Sequence, residues 1–141
     1  FACVITDRST SQVMEGPHLI IHADRTKLQT MDEWNTTHHT KSGLYESAIA
    51  STLSVGDAEQ QILDFLVERG IESQQLVIAG NSVHMDKLFL MHQMPKLNAF
   101  IHYRILDVTS LKMAVNTVLP HLFFKKKNAH RAVEDIMESI G

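Results

Sequence analysis

The sequence predicts an α/β protein, with a mixed β-sheet and helices packed on it. Three features point there. Two β-rich segments separated only by a polar turn cluster open the chain. Two later short apolar runs are each followed by a helical pattern. No internal repeat, low-complexity tract or linker divides the 141 residues, which suffice for one domain with one core. A hairpin followed by strands alternating with helices gives a mixed sheet in a layered arrangement.

Phe1 to Thr6 is apolar and partly β-branched and reads as a strand. Asp7 to Ser11 is a turn cluster. Val13 to His22 reads as a second strand, bulged or bent at Gly16-Pro17. The short connection makes the pair antiparallel. Lys27 to Trp34 reads as a short helix, followed by the polar stretch Asn35 to Thr40. Ser54 opens a clearer helix, with Ser54 and Asp57 as a capping box and Gly70 as the stop. Between them Ala58, Ile62, Phe65 and Leu66 share one face.

Leu76 to Ala79 is a continuous apolar run, expected as a strand covered on both faces. A helix is expected over Val83 to Met94, ended by Pro95, then a strand over His102 to Val108 and a helix over Leu111 to Leu119. Phe123 to Asn128 reads as a basic loop and Ala129 to Ile140 as the last helix.

Composition narrows function. The apolar fraction of 44% belongs to a folded protein rather than a disordered one. A net charge of −3 lacks the broad basic face of long-duplex binders, so a nucleic-acid ligand would be short or single-stranded. The single Cys3 excludes an intrachain disulfide and fits a reducing compartment. No run is long and apolar enough to span a bilayer, and no secretory signal is visible.

Candidate chemistry sits in four places. Ala79-Gly80 ends a strand where α/β sites favour the carboxyl edge. Asp86 lies near the start of the next helix, with Ser82 about one turn before it. The plain alternative is that Asn81 or Ser82 caps this helix and Asp86 complements its dipole. His130 and Asp135 form the second place: a proton acceptor and a carboxylate, or simply a helix-start histidine and a solvated acid. Two carboxylates able to hold cations, with one imidazole, are parts for phosphodiester hydrolysis.

Tyr103-Arg104 is the third place. Arg104 offers forked donors for phosphate, or pairs at the surface with Asp107. Strand alternation would send Tyr103 and Arg104 to opposite faces. Trp34, the only Trp, is the fourth: a stacking surface for a base or a core residue. His39 beside it could touch a phosphate. The pairs His18/His22 and His38/His39 make no recognised zinc frame. Lys125, Lys126 and Lys127 read as a solvated loop with a weak attraction for anions.

Taken together, Met31-Asp-Glu-Trp-Asn-Thr-Thr-His-His-Thr-Lys-Ser-Gly-Leu44, Gly80-Asn-Ser-Val-His-Met-Asp86, His102-Tyr-Arg-Ile-Leu-Asp-Val108 and His130-Arg-Ala-Val-Glu-Asp135 resemble the oligoribonuclease family. This is a DEDD-type group of exonucleases with a histidine in the last motif. The resemblance runs through the whole chain in order, with eukaryotic-like wording around Val83-His84 and Asp86-Lys87. It implies a ribonuclease H-like exonuclease fold and a 3′-5′ exoribonuclease acting on very short RNA, dinucleotides above all, to give 5′-mononucleotides. It further implies Mg²⁺ or Mn²⁺, a homodimer, and a soluble setting in the cytoplasm or mitochondrion.

By the same resemblance Asp86 and Asp135 are metal ligands and His130 the general base. Trp34 stacks a base and His39 lies near the substrate phosphate. Ser82, Arg104 and Thr109 cap the 5′ phosphate, with Thr109 standing where a Ser is usual, and Tyr103 reaches the partner subunit. The family also carries an Asp-x-Glu pair and a wedge Leu on a first strand. The sequence as read starts after that strand, so residues 1–141 are expected to be a single exonuclease domain, N-terminally incomplete and short of two carboxylates, with activity in doubt. Two alternatives follow: a catalytically inactive remnant that binds short RNA or dimerises, and a DNA proofreading exonuclease of the same superfamily. The cap residues Ser82 and Arg104 argue against the latter.

Overall fold

A computed structural model describes residues 1–7, 9 and 11–119. The expected basic loop, the last helix, and with them His130 and Asp135, lie outside the described residues. Strands β1 (Ala2–Thr6) and β2 (Val13–His18) pair antiparallel. The register shifts between Ala2 and Val4, the irregularity that Gly16-Pro17 suggests. Glycine is required at position 16, because a Cβ there would fall on the Cys3 sulfur. Burial pushes that thiol up to about 11.

Strands β3 (Ile78–Gly80) and β4 (Ile105–Asp107) pair parallel, with Gly80 opposite Asp107. Between them run α5 (Val83–Gln93) and α6 (Pro95–Phe100), and α7 (Val108–Val118) follows directly. Both kinds of pairing thus occur, the antiparallel hairpin and the parallel crossover forming two two-stranded sheets among the described residues. Helices α1 (Arg25–Leu28), α2 (Glu33–Lys41), α3 (Leu44–Ala50) and α4 (Val55–Glu68) lie between the hairpin and β3. The architecture is mixed α/β, as expected.

The core is built by α4, α5 and α6. Ala58, Ile62 and Leu66 meet Leu90, Met94, Leu97 and Ile101, with Ile5, Leu19, Ile21 and Ile78 packed against them. Helix α4 follows its sequence signals closely. The Ser54 hydroxyl accepts from the Asp57 N–H at 3.1 Å. Gly70 sits at φ 71, and the Ile71 N–H reaches back to the Leu66 carbonyl at 3.1 Å, closing the helix with a left-handed glycine.

Several expected boundaries shift. The polar stretch Asn35 to Thr40 is helical, inside α2, and the single expected helix over Lys27 to Trp34 is two. Asp32 nucleates α2 by accepting from the Asn35 N–H at 2.8 Å. The helix buries none of its residues, so it carries no apolar stripe to betray it. Strand β2 stops at His18 rather than His22. The run Leu76 to Ala79 yields a strand at 78–80 that is partly exposed rather than covered on both faces. Pro95 does not merely end α5. It occupies the first turn of α6, where its missing N–H costs nothing. The expected strand over His102 to Val108 shrinks to Ile105–Asp107, and α7 begins at Val108 instead of Leu111, because Asp107 caps it.

Candidate active site

The parallel pair β3–β4 puts two chain connections side by side. Gly80 at the end of β3 lies opposite Asp107 at the end of β4, so the β3–α5 turn and the start of α7 meet at the carboxyl edge. Ser82 occupies that turn in a left-handed conformation, φ 52 and ψ 34, uncommon for a residue with a side chain. It stands where the cap of α5 would be, yet its side chain makes no capping bond. Its N–H donates to Thr109 Oγ1 at 3.0 Å and to Asp107 Oδ1 at 3.1 Å. Its hydroxyl lies 3.3 Å from Thr109 Oγ1.

Thr109 Oγ1 accepts from the Ser82 backbone, and the contact between the two hydroxyls uses one of their hydrogens, which leaves the pair one O–H to donate outward. Such a donor at a helix start suits an anionic oxygen. One turn along α7, Lys112 Nζ donates to Asn81 Oδ1 at 3.3 Å, which adds a cation to the same edge.

Asp107 joins these parts. Its Oδ1 also accepts from the Thr109 N–H at 2.9 Å, and its Oδ2 pairs with His84 Nδ1 at 3.0 Å. Together these hold the Asp107 carboxyl below the usual range, with the His84 hydrogen bond the largest cause and the N–H groups of Thr109, Ser110 and Ser82 adding to it against a desolvation cost. Neither His84 nor Lys112 stands out in the sequence. In the sequence Asp107 is an acidic residue just ahead of a helical pattern and the alternative partner of Arg104.

Asp86 lies in the first turn of α5. By area it is exposed, yet the atoms packed about its carboxyl desolvate it enough to push its pKa up, opposed by its own backbone N–H and then by His84. An oxygen donor of this kind fits Mg²⁺ or Mn²⁺. Among the described residues no group of three or more His, Cys, Asp or Glu side chains converges. Of the two expected ligands, Asp86 is the one that lies among the described residues.

Tyr103 and Arg104 precede β4 rather than lie on it, and the expectation of opposite faces does not hold. Arg104 Nε donates to Tyr103 Oη at 3.2 Å, and the guanidinium lies over the Tyr103 ring at 5.5 Å. Without strand pairing, alternation does not apply to them. Asp107 takes the His84 ring as its side-chain hydrogen-bond partner rather than Arg104. Tyr103 is 70% exposed and stacks on His102. Trp34 is a surface residue, 56% exposed, on α2. His39, on the same helix, lines a cavity of about 270 Å³ with Phe1, Leu19, Met31 and Tyr45, which Trp34 does not line.

Ser82 and Thr109 are thus in direct contact. Arg104 pairs with Tyr103, and Trp34 and His39 belong to a separate stretch on α2.

A family model described as an exonuclease, of the RNase T type, matches residues 1–141. The chain is 44% identical over 142 residues to the oligoribonuclease of Alcanivorax borkumensis, covering 99% of this chain and 78% of that protein. It is 42% identical over 143 residues to a probable oligoribonuclease of Caenorhabditis elegans, covering 99% and 72%. The oligoribonuclease of Pseudomonas aeruginosa is 42% identical over 142 residues, covering 99% and 78%.

Proposed function

The chain belongs to the oligoribonuclease family of exonucleases, and from that premise we propose that it degrades very short single-stranded RNA, dinucleotides above all, from the 3′ end to 5′-mononucleotides. The observation that carries this reading is the kinship over 99% of the chain with proteins named oligoribonuclease. The hydroxyl pair of Ser82 and Thr109 supports it at the level of residues.

Asp86 and Asp135 would hold the divalent cations, Mg²⁺ or Mn²⁺, and His130 would act as the base for the attacking water. Bound cations would polarise the phosphoryl group and stabilise the attacking and leaving oxygens. Ser82, Thr109 and Arg104 grip the 5′ phosphate, which sets the length limit by leaving no path for a further nucleotide. Trp34 stacks a base, His39 lies near the substrate phosphate, and Tyr103, exposed at the surface, reaches the other subunit of a homodimer. No described helix is long and apolar enough to cross a membrane.

None of the four described strands carries an Asp-x-Glu pair. Two cations need anionic ligands to offset their charge, so two forms should be compared. A labelled diribonucleotide with Mn²⁺ is given to residues 1–141 and to a form with an Asp-x-Glu strand ahead of Phe1. Release of 5′-mononucleotides, much faster in the longer form, is the expected result. Binding without hydrolysis in both would favour a short-RNA-binding protein. Preference for long DNA strands would overturn the substrate class.

A further inference from the structure

Asp107 takes no part in the roles proposed above, yet it has the densest set of partners at the β3–β4 edge. Its side chain is only 12% exposed. One oxygen collects the N–H groups of Ser82, from the β3–α5 turn, and of Thr109, from the start of α7. The other oxygen is taken by the His84 ring. The two connections come from strands that pair over only three residues each, so the ladder alone holds this edge weakly. The left-handed backbone of Ser82 also needs an outside hold to persist.

We propose that Asp107 is a positioning residue for 5′-phosphate recognition. It does not touch the phosphate. It clamps the backbones of Ser82 and Thr109 so that their hydroxyls stand 3.3 Å apart before any ligand arrives, and such preorganisation raises affinity by removing an ordering cost. His84 completes the arrangement by occupying the second carboxylate oxygen, which directs the negative charge of Asp107 into protein donors rather than toward an incoming anion. The proposal rests on the reading of Ser82, Arg104 and Thr109 as the phosphate cap.

The test is equilibrium binding of a 5′-phosphorylated diadenylate and of the same dinucleotide lacking that phosphate, to the full chain in Ca²⁺ to suppress hydrolysis. Wild type should prefer the phosphorylated form. Asp107→Ala should cut that preference about tenfold, the scale of one hydrogen bond to a charged group, with affinity for the unphosphorylated form nearly unchanged. Asp107→Asn, which keeps an acceptor for the two N–H groups, should retain most of the preference. An Asp107→Ala variant that keeps the preference, or loses both affinities equally, overturns the proposal. If Asp107→Ala does not fold, His84→Ala at its exposed position decides: a lowered preference supports the role, and an unchanged one overturns it. A wild type without any preference removes the cap reading itself and this role with it, whereas a preference that survives unchanged in Asp107→Ala, or in His84→Ala where that variant decides, removes only the role.

Discussion

The Trp34 indole stacks on the His38 imidazole one turn along α2, with ring centroids 4.0 Å apart and planes inclined by 25°. His38 Nδ1 is also bonded to the Trp34 carbonyl, at 2.7 Å. The imidazole is therefore held at both its ring and its nitrogen, which steadies an indole that remains 56% exposed. A fixed, exposed aromatic plane loses little entropy when a base stacks on it.

Trp34→Ala should weaken dinucleotide binding by about 1–3 kcal/mol, the usual worth of one base-stacking contact. The melting temperature should barely move, because the indole is not part of the core. Trp34 is the only Trp, so its fluorescence reports on the event directly. Titration with a dinucleotide should quench it, and an unaltered spectrum at saturating ligand would remove Trp34 from the binding surface.

Asp86 makes a paired prediction about stability and metal. Partial desolvation raises its pKa, so its ionised form opposes folding at pH above its folded pKa, and that cost vanishes below the unfolded value. Asp86→Asn should therefore raise the melting temperature slightly at neutral pH without metal. The same change should abolish the stabilisation that Mn²⁺ confers by binding only the native state. Differential scanning calorimetry with and without Mn²⁺ reads both effects, and an undiminished Mn²⁺ shift in the variant would exclude Asp86 as a ligand.

The legible parts of the chain were those where one local rule decides. Helix α4 has a capping hydroxyl, an apolar face and a left-handed glycine, and all three agree. Helix α2 has a cap at Asp32 but no apolar face, so periodicity could not reveal it. Pro95 sends the same sequence signal whether it stops one helix or starts the next, and only the packing of Leu97 against α4 distinguishes the two. Of the residues the sequence singled out, the structure brings Ser82 and Thr109 into contact. The site was not legible as a geometry. The hub at Asp107 joins residues 23 to 25 positions apart, a relationship created by the parallel pairing of β3 with β4. Tyr103 and Arg104 came out on one side because the strand starts only at Ile105.

The hub also sets an acid limit. The folded pKa of Asp107 lies below its ordinary value, chiefly through His84. Its contribution to stability is thus complete above the unfolded carboxylate value, about 3.9, and is lost as pH falls through the lower folded value. The melting temperature of wild type should drop through this acid range more steeply than that of Asp107→Asn, which has no proton to gain there. Parallel pH profiles of the two proteins would discount the hub as a source of stability.

Glu59 offers the sharpest test of how the core is joined. It is a buried acid, 5% exposed, on the inner side of α4, and its Oε1 accepts from the Leu97 N–H at 3.0 Å in the first turns of α6. Helix α6 has no side-chain cap of its own, so Glu59 satisfies one of the orphan donors at its start across the interface. Glu59→Gln keeps an acceptor oxygen of nearly the same reach and should cost little. Glu59→Leu keeps the bulk but leaves the N–H buried and unpaired, at about 1–3 kcal/mol. Urea unfolding should separate the two variants by that margin with little change in slope. Equal midpoints would mean that the Leu97 N–H finds another partner and that α6 does not depend on α4 for its cap.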